Sequence, residues 1–357
     1  MKYIIPICFL LVTGNFISFA QEYDLPVNPE YDTTCYTKYT DRLVIGLFQA
    51  SQNYTNEITQ KDFSDPGGKS HINYNAEAKS VNGFVLNYDK LNLSLAYKTL
   101  PQLDSYKKGK TNSGGIGLNF GGDKWRLESS YRYYNGFYDR STGLYDSTYK
   151  DDKPYYQNAS MNVNSFKLKF MYFVKHKKFS YQSAYACNER QLKSALSPVL
   201  VGNFYIKNLT ADSSFIPHFI RPFYGYNADI NGLRTVAYSI GGGFSGTLVI
   251  YKRFFLSGMF VLGLESQHNN YHHYHTNTTN ASTYINWTGD FRVAFGFNNR
   301  NFFAIINYIN DFSTFNSAMF NMTTQVNSTS LTIGYRFKVT DPRFMSNIRR
   351  TKIYQLF

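Results

Sequence analysis

Trp125-Arg126-Leu127-Glu128-Ser129-Ser130-Tyr131-Arg132-Tyr133-Tyr134 decides how this chain folds. Trp125, Leu127, Tyr131 and Tyr133 alternate with Arg126, Glu128, Ser130 and Arg132. A strand turns successive side chains to opposite faces, so a period of two separates an apolar face from a polar one. A helical period of 3.6 would mix them. The pattern recurs on both sides. Leu91, Leu93, Leu95 and Tyr97 alternate with Asn92, Ser94, Ala96 and Lys98. Phe166, Leu168, Phe170 and Tyr172 alternate with Lys167, Lys169 and Met171. Ile285, Trp287, Phe291, Val293 and Phe295 are interleaved with Asn286, Thr288, Asp290, Arg292 and Ala294. Leu331, Ile333, Tyr335 and Phe337 are interleaved with Thr332, Gly334 and Arg336.

The connections carry the next step. Asp89-Lys90, Gly121 to Lys124, Lys175 to Lys178, Tyr251 to Arg253 and Asn298 to Asn301 are short polar turns. Longer polar segments lie between them, near 50–80, 99–111, 135–160, 191–235, 268–283 and 313–328. Short and long connections alternate, as in barrels with tight periplasmic turns and extended outer loops. Strands are expected near 42–52, 78–88, 91–98, 112–120, 125–134, 162–174, 179–190, 236–250, 254–267, 284–297, 302–312 and 329–338. The expected fold is therefore all-β, a transmembrane antiparallel up-and-down barrel of twelve strands. Val199 to Ile206 and Phe219 to Tyr226 are also strand-like, and would make it fourteen. Either even count brings both ends of the barrel to the same side.

Composition agrees. Aromatic residues make 18% of the 357, with 32 Tyr and 31 Phe, more rings than a soluble core readily hides. A barrel places them on its lipid face and in its interfacial girdles. Mean hydropathy is −0.38, because only every second strand residue meets lipid. Lys2, the apolar run Ile4 to Val12 and the small residues Ser18 and Ala20 read as a signal peptide over 1–20, cleaved before Gln21. After it, no apolar run is long enough for a spanning helix. The Pro-bearing stretch 21–41 is expected as a periplasmic lead-in, 42–338 as the barrel and 339–357 as a periplasmic extension. The formal charge of +13 is scattered through turns and alternate strand positions, so no nucleic-acid partner is expected. Cys35 and Cys187 remain after cleavage, too few for a disulfide scaffold.

Alternation also predicts which charges face the lumen: Arg126, Glu128, Arg132, Lys167, Lys169, Arg190, Glu265, Asp290, Arg292 and Arg336. Seven are cations and three are carboxylates. A conducting lumen of this kind would favour anions. A narrow one is filled by its own paired side chains, and this filled lumen is the expectation. The segment His268 to His275 reads as a polar outer loop. His272, His273 and His275 are its metal-ligand candidates, but their spacing matches no defined site and no carboxylate or thiolate joins them. Serines are plentiful, yet none stands in a Gly-x-Ser-x-Gly turn, and His71, His176 and His218 do not fall mid-strand beside one. Gly241-Gly242-Gly243 is followed by neither Lys-Ser/Thr nor a helix, so it reads as a bend in a curved sheet. No cofactor is expected.

Three further stretches carry a family likeness: Asp32-Thr33-Thr34 with Tyr36 and Tyr39 to Leu43; Phe179-Ser180-Tyr181 with Asn188 to Ala195; and Ala211 to Pro217. On these the chain resembles an uncharacterised family of Bacteroidota outer-membrane barrels, classed as a domain of unknown function. The resemblance spans about Asp32 to Phe337. It implies an outer-membrane address and a barrel, with lipid or lipopolysaccharide and the barrel-assembly machinery as partners, and no activity. The chain departs from the family at Leu196-Ser197-Pro198. The expected role is non-enzymatic: structural, interaction or small-solute transport. A surface lipid hydrolase and an accessory subunit of a secretion or uptake complex are the alternatives.

Overall fold

The computed structural model describes residues 31–60, 71–101, 104–276, 278–316, 320–340, 343–352 and 354. The expected signal segment lies outside the described residues, as do residues 21–30 of the lead-in. In chain order the strands are β1 (Tyr36–Lys38), β2 (Arg42–Gln60), β3 (His71–Tyr88), β4 (Leu91–Lys98), β5 (Asn112–Gly121), β6 (Trp125–Asp139), β7 (Tyr156–Phe173), β8 (Glu189–Gln191), β9 (Ala195–Thr210), β10 (Ile230–Ile250), β11 (Phe254–His273), β12 (Thr279–Asn298), β13 (Phe302–Asn316) and β14 (Phe320–Lys338). All but β1 and β8 form one closed antiparallel ring. It shuts where β14 returns to β2, from Lys338↔Arg42 to Phe320↔Gln60.

The alternation becomes the two faces of this wall. Leu47 (70% exposed), Ile240 (75%), Ile285 (73%) and Trp287 (63%) stand on the outer face. Val44, Ala50, Asn92, Arg126, Asp290 and Arg292 are buried on the inner one. The ring contains the expected twelve strands, but one is not the expected one. Residues 179–190 do not cross. They hold a single helical turn, α1 (Gln182–Tyr185), and the short β8. The seventh crossing is β9, and Arg221–Phe223 and Gly225–Asp229 form 3₁₀ turns rather than a strand. The reason is burial on both faces. Phe179, Ser180, Tyr181, Gln182, Ser183 and Ala184 are all buried, whereas a wall strand must show one face to the outside.

Several segments expected as loops are instead tall strand ends. Among them is His268 to His273, which belongs to β11. These ends rise beyond the apolar outer band, so their outward positions carry Asn, Thr and His without apolar alternation.

The ring also changes width. β4 and β5 are short, and beyond them β3 pairs directly with β6 through Tyr74↔Asp139 and Asn75↔Tyr138. The wall is thus twelve strands around at the end with the short turns and ten at the other. Gly136 sits at the bulge in β6 that permits this, with φ +81°. A Cβ there would lie 2.0 Å from the Lys110 carbonyl oxygen. Gly243 answers the Gly-Gly-Gly expectation in the same way, since its Cβ would lie 1.9 Å from the Phe260 carbonyl oxygen.

Candidate functional site

The lumen is the space toward which the inward charges of the ring strands converge, and it is stacked in layers. At the end carrying the short turns, a plug enters it. β1 pairs with β8, Tyr36↔Gln191 to Lys38↔Glu189, so the lead-in and the 179–191 segment fold together. Inward side chains of the wall hold the plug. Asn298 Nδ2 donates to the carbonyls of Ser183 (2.9 Å) and Glu189 (3.1 Å). Arg336 Nε donates to the Cys187 carbonyl (2.7 Å). Asn87 Nδ2 donates to the Ala186 carbonyl.

The plug holds charge. Lys38 pairs with Asp123, and the Tyr36 hydroxyl donates to the same carboxylate (2.9 Å) and to the His176 carbonyl (3.0 Å). Ser180 Oγ donates to Glu189 Oε2 (2.5 Å). Burial pushes the Glu189 carboxyl well above its ordinary range, and the neighbouring Asp123 adds to this while Lys38 opposes it. Burial pushes the Cys187 thiol up to about 12, and both Cys35 and Cys187 are free and buried.

Above the plug lies the charge network. Arg126 Nε meets Glu128 (3.1 Å) on the same strand. Glu128 reaches Arg292 of β12 (3.0 Å), and Arg292 also grips Asp290 through two nitrogens, each at 3.1 Å. Lys169 of β7 pairs with Asp290 and lies 3.6 Å from Asp311 of β13; Lys167 lies 3.3 Å from Asp311. Three ring strands separate β7 from β12, and four separate β6 from β12. These pairs therefore span the lumen. The Tyr181 hydroxyl of the plug donates to Glu128 (3.1 Å) and accepts from Arg292, which ties the plug to the network.

Glu265 lies further up, accepting from Tyr205 (2.8 Å) and Ser313 (2.6 Å). Two cavities flank this level, of about 250 Å³ and about 100 Å³, and Arg132 lines both. The far end is closed by apolar packing. The connection between β9 and β10 folds inward, so that Phe215, Ile216, Ile220 and Tyr224 pack against Ile58, Tyr74 and Met322 of the wall. Tyr74 donates to the Phe215 carbonyl (2.5 Å).

Nine of the ten expected lumen charges stand on inward positions of ring strands. Arg190 does not. It belongs to β8 in the plug and donates to the Lys252 carbonyl at the rim, because the segment that carries it does not cross. Alternation missed Asp311 and Lys207. Asp311 lies on a strand with apolar residues on both faces, Phe303 and Ile305 inward and Phe302 and Ile306 outward, which masks the period of two. Lys207 lies in a segment read as connection. The histidine rings do not converge on one point, but the expectation that no carboxylate joins them is corrected, because the β9–β10 connection brings Asp229 to His273. His272 Nδ1 lies 2.8 Å from Asn231 Oδ1, His273 Nδ1 lies 2.7 Å from Asp229 Oδ1, and the His275 amide donates to Asp229 (3.2 Å). No group of three His, Cys, Asp or Glu able to hold a metal occurs among the described residues.

The chain belongs to the family described as a domain of unknown function, DUF4421, whose model matches residues 30–337. No curated protein matches it in sequence. Among solved structures it is similar to the β domain of the Bordetella autotransporter BrkA, at 9% identity over 83% of this chain and 99% of that one, with a TM-score of 0.34. It is also similar to OmpT of Vibrio cholerae, at 9% over 83% and 98% with a TM-score of 0.32, and to the Pseudomonas putida toluene transporter TodX, at 7% over 84% and 91% with a TM-score of 0.27. These likenesses concern the barrel alone.

Proposed function

We propose that this DUF4421 protein is a non-conducting, non-enzymatic barrel of a bacterial outer membrane, with a structural or interaction role carried by its two rims. It is exported by a signal cleaved before Gln21. Both termini lie in the periplasm with the short turns, and the long connections face outward. The outer face of Leu, Ile, Phe and Trp meets lipid or lipopolysaccharide, and the barrel-assembly machinery inserts it.

One observation carries the reading: ion pairs cross the lumen from β6 and β7 to β12 and β13. Each joins walls that a pore would hold apart, and opening the lumen would leave several charges unpaired away from bulk water, at roughly 3–5 kcal/mol for each broken pair. The plug below and the apolar cap above shut the same path twice more. Purified protein in planar bilayers is expected to give no unitary conductance, whereas a variant lacking 211–229, with Glu128→Gln and Asp290→Asn and with the plug released by Asn87→Ala, Asn298→Ala and Arg336→Ala, is expected to leak ions. Discrete, stable channels from the unaltered protein would overturn the reading.

A further inference from the structure

The two cavities between plug and cap are not balanced in charge. Arg126, Arg132, Lys167 and Lys207 line them, against Glu265 and Asp311. Arg126 is met by Glu128. Asp311 is shared between Lys167 and Lys169. Glu265 is taken up by hydroxyl and amide donors from Tyr205, Ser313 and Gln267. No carboxylate remains within ion-pair distance of the other two cations. Lys207 is 7% exposed, and its ammonium donates only to Thr324 Oγ1, at 3.0 Å. Arg132 is half-buried, lines both cavities, and its guanidinium makes no hydrogen bond or ion pair among the described residues.

A buried cation needs a partner, because water and counter-ions are displaced when it leaves bulk solvent. Here the buried Lys207 and the half-buried Arg132 face a shared space of about 100 Å³, several times what one water requires. We propose that this chamber binds one small tetrahedral oxyanion of the phosphate or sulfate class. The planar fork of Arg132 presents paired N–H donors that match two oxygens of such an ion, and Lys207 supplies a point charge with two unused donors. Lys167, on the same cavity wall, adds a third cation. A halide would leave the fork half used. Tyr54 and Tyr134, which line the chamber, belong to the same packed cluster as the cap, so the ion enters during folding or when the cap lifts, and it offsets part of the chamber's excess positive charge.

The test uses the full barrel in detergent, refolded in chloride buffer with and without inorganic phosphate, then exchanged and examined by native mass spectrometry and by calorimetric titration with phosphate at constant ionic strength. The expected result is one retained phosphate per barrel, displaced by sulfate. Arg132→Gln and Lys207→Met should each weaken binding by about tenfold or more, the effect of losing one charge-assisted contact, while Lys150→Gln on the exposed far rim leaves it unchanged. If Lys207→Met does not refold, Arg132→Gln decides alone. Phosphate that is not retained, or is held equally by wild type and Arg132→Gln, overturns the proposal. Binding is read in detergent without a membrane potential, so it stands or falls separately from the conductance experiment.

Discussion

At the end that carries the short turns, the lumen is filled by a chain segment whose polar atoms are matched one by one to the wall: Asn298, Asn87 and Arg336 to plug carbonyls, and Tyr181 to Glu128 and Arg292. At the far end it is filled by side chains with little polarity, Phe215, Ile216 and Ile220 against Ile58 and Met322. The wall differs in step, twelve strands around the polar seal and ten around the apolar one. The wider ring leaves room for a plug and for charges that reach across. The narrower ring brings opposite walls close enough for one inward-folded connection to close them. A polar seal depends on every partner being present, because an unmatched buried charge is costly. An apolar seal loses stability in proportion to the area removed, without such a threshold.

This contrast can be broken most forcefully at Asp290. Asp290→Leu removes the carboxylate that Lys169 and Arg292 share, leaving Lys169 only Asp311 at 3.6 Å and Arg292 only Glu128, and should cost about 3–5 kcal/mol in urea unfolding of the detergent-solubilised barrel. A cost below about 1 kcal/mol would mean that the cross-lumen pairs hold nothing together. Ile216→Ala in the cap should cost less, about 2 kcal/mol, and act locally. Proteolysis within 211–229 should rise, while Cys187, whose buried thiol stays protonated and unreactive, remains protected from maleimide. Labelling of Cys187 in that variant would show that the two seals are one cooperative unit.

Glu189 gives the polar seal a pH dependence of its own. Its folded carboxyl holds a proton that the unfolded chain releases above its ordinary value of 4.5. A raised folded value therefore stabilises fully below that pH and loses ground as pH rises, by up to about 1.4 kcal/mol per pH unit. Glu189→Gln should flatten this slope, measured by urea unfolding of the detergent-solubilised barrel from pH 5 upward in steps of about one unit. An unchanged slope would assign the dependence elsewhere. The smallest effect is expected at the rim pair Lys108–Glu77 (2.8 Å), whose side chains are 18% and 14% exposed, where Lys108→Ala should cost about 1 kcal/mol or less. A larger loss would extend the ionic logic of the plug end to the other.

The candidate site was legible in the sequence only where the wall is simple. Arg126, Glu128, Lys169, Asp290 and Arg292 could be assigned to the lumen because their strands show an apolar outer face and a polar inner one. Asp311 could not, since β13 is apolar on both faces where the lumen carries Phe303 and Ile305. Lys207 was hidden because β9 begins directly after the plug segment, whose aromatic alternation at Phe179, Tyr181 and Tyr185 imitates a strand. That segment is a turn packed on all sides, with Tyr181 and Tyr185 stacked at 4.6 Å.

What the sequence determined by itself is the all-β ring and its parity, because a period of two and alternating connection lengths are local properties that survive without knowing any partner. Which segment crosses and which folds inside, where the ring narrows, and which charge meets which were decided only in three dimensions. Those outcomes depend on pairings between strands far apart in the chain, β1 with β8, β3 with β6, β7 with β13, and on the space the closed wall leaves for side chains to meet.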